Sequence, residues 1–116
     1  MDPEANLSEL RELYRKYLDH GQVLSPSEGE RLAELLEAMH AWVEGGGFLP
    51  DDWSRRTRTP PSASVDYPEI VRLCELELYG GGLDSVERAT LARKAQRLDL
   101  SLSAGGPLPV EWGRGA

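Results

Sequence analysis

Residues 45–53 read Gly-Gly-Gly-Phe-Leu-Pro-Asp-Asp-Trp, and a shorter form, Gly-Gly-Pro-Leu-Pro-Val-Glu-Trp, returns at 105–112. Each stretch follows an amphipathic helical pattern. Glycine after the last periodic residue ends a helix, and proline prevents the helix from resuming. The chain therefore uses the same helix-ending sequence twice, which predicts a duplicated helical unit. We assign structural roles to Gly46, Pro50, Trp53, Gly105, Pro109 and Trp112.

The repeat extends beyond these two stretches. A shift of 59 positions pairs residues 21–53 with 80–112 without a gap, and ten of the pairs are identical. About three identities are expected by chance from this composition. A shift of 60 aligns the preceding segments, where Leu13 falls on Leu73 and Leu18 on Leu78. Gene duplication explains this register; independent use of good helix terminators in the two halves is the alternative.

Capping residues and apolar periodicity predict four helices. The first begins at Asn6 with Glu9, or at Asp2 with Pro3, and the second begins at Ser25. Asp66 and Asp84 begin the remaining two. No segment alternates apolar and polar residues as a strand would. We predict an all-α fold of two tandem αα-hairpins, 1–53 and 66–116, packed as a four-helix assembly and joined by a Pro- and Arg-rich linker, 54–65. Trp53 is expected to fold back onto its own hairpin.

Composition restricts the function. The 116 residues carry a net charge of −7, which disfavours direct binding to nucleic acid or to an anionic membrane. No apolar run approaches the length that spans a bilayer, and the acidic N-terminus is unlike a signal peptide. Cys74 is the only cysteine, so no internal disulfide forms. These features predict a cytoplasmic protein without membrane association.

None of the motifs that suggest chemistry has the residues that the chemistry needs. The glycine triplets follow helices and lack the Lys of a phosphate-binding loop. His20 and His40 have no partners at metal-ligand spacing, and we expect both to be solvated. Cys74 lies on an apolar stripe and is expected in the core, and the pair Asp51-Asp52 is expected in a solvated turn. The sequence therefore predicts no enzyme activity, no cofactor and no metal site.

Residues 42–53, Trp-Val-Glu-Gly-Gly-Gly-Phe-Leu-Pro-Asp-Asp-Trp, resemble a helix ending in short proteins of actinobacteria and their phages. In those proteins a Trp near the helix end precedes Gly-Gly, then Leu-Pro, then a second Trp. The match covers about a dozen residues and is partly repeated at the C-terminus, where Ser101 replaces the first Trp. These proteins are mostly without assigned function. The resemblance implies a phage accessory protein that binds a host protein or sits in the virion.

The leading interpretation is a small acidic protein-binding module that engages a protein of a bacterial host or of a phage assembly. An apolar groove or the linker would form the contact. We assign this contact to Arg55, Arg56 and Arg58 of the linker and to Trp42 and Phe48 beside the helix end. One alternative is an acidic mimic of nucleic acid that inhibits a DNA- or RNA-processing or defence enzyme. Another is a structural or assembly component of a virion.

Overall fold

A computed structural model describes residues 1–54, 66–106 and 108–112, and within them the chain is all-helical, without a strand. This confirms the predicted all-α class. The helices are α1 (Pro3–Leu18), α2 (Pro26–Glu44), α3 (Asp51–Ser54), α4 (Tyr67–Tyr79) and α5 (Ser85–Ser103), and a 3₁₀ turn covers Val110–Trp112. Nearly all of the predicted linker, including Arg55, Arg56 and Arg58, lies outside the described residues.

The helix starts follow local capping chemistry. Asp2 caps α1, because its carboxylate accepts from the backbone N–H groups of Glu4 and Ala5. Asn6, the other predicted start, lies inside the helix, and its side-chain amide donates to the backbone carbonyl of Leu35 at 3.1 Å. At both Ser25 and Asp84 the side chain and a glutamate three residues later form a complete capping box.

The ends of α2 and α5 have the same backbone geometry. Both helices contain 19 residues, and each is followed by a glycine with positive φ, 91° at Gly46 and 86° at Gly105. Gly47 N–H donates to the Trp42 carbonyl at 2.8 Å, and Gly106 N–H donates to the Ser101 carbonyl at 2.9 Å. This is the Schellman arrangement, in which glycine takes the left-handed conformation at low steric cost.

Packing crosses between the two halves of the chain. Helix α1 packs against α2 and α5, and α4 also packs against α2 and α5. Helix α3 lies on α5, whereas the 3₁₀ turn lies on α2. The indole of Trp53 donates to Asp99 of α5 at 2.9 Å. The expectation that Trp53 folds back onto its own hairpin was therefore wrong, because a hydrogen-bond acceptor for its N–H lies on α5.

The core of the described residues is one apolar cluster that includes Trp53 and Trp112. Trp53 is 0% exposed and Trp112 is 1% exposed. Leu32 and Ala33 of α2 and the corresponding Leu91 and Ala92 of α5 are all fully buried. The cluster receives side chains from every helix, which joins both halves into one body. Among the described residues, no helix is long and apolar enough to cross a membrane.

Candidate functional site

A groove with a volume of about 590 Å³ lies between α2 and α4. Apolar side chains line much of it, including Leu36 from α2 and Ile70, Val71 and Cys74 from α4. Two of the side chains that α4 contributes, Val71 and Cys74, are short, and they leave space between α2 and α4. Its size falls within the usual range of ligand-binding clefts.

Among the described residues, the charged side chains that line the groove are all acidic. Glu37 and Glu44 lie on the α2 side and Glu75 lies on the α4 side; we call these three the rim glutamates. No Lys or Arg of the described parts of the chain lines the groove. The Tyr79 hydroxyl donates to Glu37 at 2.6 Å, although 73% of the Tyr79 residue is exposed. An apolar floor between acidic rims suits a basic, amphipathic ligand.

His40 also lines the groove and is held on both ring nitrogens. Nδ1 lies 2.8 Å from the Tyr67 hydroxyl, and Nε2 lies 2.8 Å from a Glu44 carboxylate oxygen. The expectation of a solvated histidine was wrong for this residue, because Tyr67, distant in sequence, packs against it. Burial raises the pKa of the Tyr67 hydroxyl, against a smaller opposing effect of the Trp112 indole, so the hydroxyl stays protonated at neutral pH.

Cys74 forms part of the floor and is 4% exposed. Burial raises the pKa of its thiol to about 12, and nearby glutamates add to the effect. The thiolate, which is the nucleophilic form, is therefore scarce at neutral pH. Cys74 acts here as a small apolar residue, as the sequence predicted.

A buried ionic cluster occupies the opposite side of the molecule, between α1 and α5. Arg11 binds the Asp99 carboxylate through two nitrogens, with distances of 2.8 Å from Nε and 3.0 Å from Nη2. The Tyr14 hydroxyl donates to the same carboxylate at 2.6 Å, and Ser103 donates at 3.1 Å. With the indole of Trp53, these donors surround Asp99, whose side chain is 2% exposed.

The charges in this cluster support one another. Burial raises the pKa of the Asp99 carboxyl, but the hydrogen bonds from Arg11, Tyr14 and Trp53 outweigh burial and hold its pKa below the usual value. Asp52 binds the remaining face of Arg11 at 2.7 Å. The expected solvated turn at Asp51-Asp52 was therefore wrong for Asp52. The cluster holds α1, α3 and α5 together. Its charged and polar groups form their hydrogen bonds with one another.

Trp42 and Phe48, the described residues among those predicted to contact a partner, do not line the groove. Trp42 donates its indole N–H to the Phe48 carbonyl at 2.8 Å, and the two rings meet edge to face with their centroids 5.6 Å apart. Trp42 thus braces the helix-ending turn, while Phe48 is 63% exposed. Of the residues assigned structural roles, Pro50, Trp53 and Trp112 are buried.

An apolar groove was expected from the sequence, but neither its position nor the Asp99 cluster was predicted. A signal was available: Asp99 interrupts the apolar stripe of α5, and Arg11 and Tyr14 stand at helical spacing on α1. Over the described parts of the chain, no group of three or more His, Cys, Asp or Glu side chains is placed to hold a metal ion. Comparison with protein-family models, with curated proteins and with solved structures gave no match.

Proposed function

We propose that this chain is a non-enzymatic protein-binding module whose contact surface is the groove between α2 and α4. The groove engages a basic, amphipathic segment of a partner protein, which belongs to a bacterial host or to a phage assembly. The observation that carries this proposal is the pairing of an apolar floor with three rim glutamates, in a groove that no Lys or Arg of the described residues lines. A partner segment with apolar and cationic side chains would cover the floor and neutralise the rim.

We further infer that the groove arises from an internal duplication, in which two tandem αα-hairpins pack as a four-helix assembly. Four observations support this. Helices α2 and α5 start and end 59 positions apart, both begin with a capping box, and both end in the same hydrogen-bond arrangement. The packing is also reciprocal, since α3 lies on α5 and the 3₁₀ turn lies on α2. A duplication gives two related interhelical surfaces, one between α1 and α5 and one between α4 and α2. The first is filled by side chains of the chain itself, and the second can stay open for a partner.

Site-specific photocrosslinking tests the function. A benzophenone amino acid is placed at Ala41, an exposed residue that lines the groove, and in a control protein at Ser8 on α1, outside the groove. In actinobacterial cells, we expect the Ala41 variant to capture a protein through a peptide rich in Lys or Arg. The Ser8 variant should not capture it. The same adducts from both positions, or a captured peptide with net negative charge, would reject the groove as the binding surface.

A second candidate is an acidic mimic of nucleic acid. The observation that favours it is a row of exposed carboxylates on α2, formed by Glu30, Glu34, Glu37 and Glu44. Such a row would compete with phosphates for a basic surface, and its binding would fall steeply with salt. A groove-bound partner would keep much of its affinity at high salt, because apolar burial contributes to it. The salt dependence of partner binding therefore separates the two candidates.

A further inference from the structure

We propose that the groove receives an arginine and an aromatic side chain, three residues apart on a helix of the partner. This inference rests on the proposed function and names the chemistry of the occupant. It comes from a comparison within the molecule. The surface between α1 and α5 is packed by Arg11 and Tyr14, while the corresponding surface between α4 and α2 lacks both side chains.

The correspondence on α1 and α4 follows from the shift of 60. Val71 falls on Arg11, and Cys74 falls on Tyr14. Arg11 and Tyr14 fill the space beside α5 and bind its carboxylate. Val71 and Cys74 stand in the same relation to α2, yet both are too short to fill the space, and both line the groove. The groove is thus the volume that an arginine and a tyrosine occupy on the other side.

The correspondence on α2 and α5 follows from the shift of 59. His40 falls on Asp99, and Glu44 falls on Ser103. In both pairs the later residue contacts the earlier one across a single helical turn, at 2.8 Å for Glu44 and His40 and at 3.1 Å for Ser103 and Asp99. On α5 the carboxylate that pairs with a guanidinium is Asp99. On α2 the position that corresponds to Asp99 holds His40, and the carboxylate stands one turn later, at Glu44.

The corresponding residues Trp53 and Trp112 also differ, and again the side between α2 and α4 has fewer polar contacts. The indole N–H of Trp53 donates to Asp99 at 2.9 Å. The indole of Trp112 packs edge to face on Tyr67, with ring centroids 5.8 Å apart; its buried N–H acts on the Tyr67 hydroxyl but does not reach hydrogen-bond geometry with any described residue. The surface between α2 and α4 is therefore the less complete of the two, in its polar contacts as well as its volume.

An arginine suits this surface better than a lysine. Glu44 and Glu37 lie on one side of the groove and Glu75 on the other, and the planar guanidinium of an arginine can bind one such carboxylate through two of its donors. Lysine offers a single compact charge that is more strongly hydrated. An aromatic ring three residues away on a helix would lie over Cys74, as the ring of Tyr14 lies at the corresponding position of α1.

Two synthetic helical peptides test the inference by NMR titration of the full chain. Both are Ala-based and carry a Tyr; one has an Arg three residues before it and the other has a Lys. We expect the Arg peptide to bind at least about tenfold more tightly and to shift the amide signals of Val71 and Cys74. Equal affinities would overturn the inference but leave a basic groove ligand in place. Absence of groove shifts with both peptides would also overturn it, while the photocrosslinking result decides the proposed function separately.

A groove-filled variant supplies the second arm. Val71→Arg with Cys74→Tyr places the side chains of α1 at the matching positions of α4. Its control, Ala5→Arg with Ser8→Tyr, adds the same residues at the same spacing on exposed positions of α1. We expect the filled variant to lose Arg-peptide binding and the control to retain it. Val71→Arg alone repeats the test if the double variant does not fold. A folded variant of either kind that binds with parental affinity would contradict the proposal.

Discussion

Replacing Asp99 by Asn removes the negative charge at the centre of the buried cluster and changes its volume very little. The carboxylate accepts from Arg11, Tyr14, Trp53 and Ser103. The Asn amide has only one oxygen that accepts a hydrogen bond. Its NH₂ group must therefore take the place of one carboxylate oxygen, Oδ1 or Oδ2, and face the donors that bind that oxygen. If that side is Oδ2, the amide meets Arg11 Nε and the Tyr14 hydroxyl. If it is Oδ1, the amide meets the indole of Trp53.

The magnitude follows from the burial of each partner. Removing one member of a buried ion pair costs about 3–5 kcal/mol. Arg11 is 22% exposed and keeps its contact with Asp52, so the lower end applies, about 3 kcal/mol. For a domain of this size, a loss of about 3 kcal/mol lowers the melting temperature by about 10–15 °C.

Urea and thermal unfolding at neutral pH, followed by circular dichroism, measure this change. Asp52→Asn is the matched control, because it removes the other carboxylate bound to Arg11 at a position that is 43% exposed. We expect the control to lose less than about 1 kcal/mol. A free energy of unfolding for Asp99→Asn within about 0.5 kcal/mol of the parent would refute the view that this cluster holds α1, α3 and α5 together.

Three further predictions concern other groups. Because the folded pKa of Asp99 is depressed, its contribution to stability is present above the unfolded pKa of about 4 and is lost as pH falls through the folded value; acid titration of unfolding should show this loss, and Asp99→Asn should reduce it. Cys74, with a thiol pKa of about 12, should resist a thiol reagent in the native protein at pH 7 and react once denaturant is added, whereas rapid native labelling would show that its side chain is accessible. Replacing Arg55, Arg56 and Arg58 by Ser should weaken partner binding more than it lowers the melting temperature; unchanged affinity at low salt would show that the linker is only a tether.

The sequence was sufficient for the four long helices, though not for the short α3, because the signals of the long helices are local. Capping residues at Ser25 and Asp84 and the glycines at 46 and 105 act within a few positions of the chain. The crossing of Trp53 onto α5 could not be read in this way, because it depends on an acceptor 46 positions away. Local patterns carry no information about which of several helices an aromatic residue will meet.

The groove was harder to predict for a related reason. It depends on side chains that are missing from α4 relative to α1, and their absence matters only once the helices are known to pack crosswise. The repeat register already paired Val71 with Arg11 and Cys74 with Tyr14. The repeat register does not show which residue binds Arg11, because its partner Asp99 lies 88 positions away. His40 was misjudged likewise, because its partner Tyr67 comes from another helix.

The central claim is that the groove, and not the overall acidity of the chain, binds a basic partner. The most direct measurement compares the affinity of the crosslinked partner for two variants of equal charge. One changes the three rim glutamates to Gln, and the control changes Glu12, Glu30 and Glu34, which are exposed and outside the groove, to Gln. At physiological salt, we expect the rim variant to bind at least about tenfold more weakly and the control to stay within about twofold of the parent. Equal weakening of both variants would contradict the account.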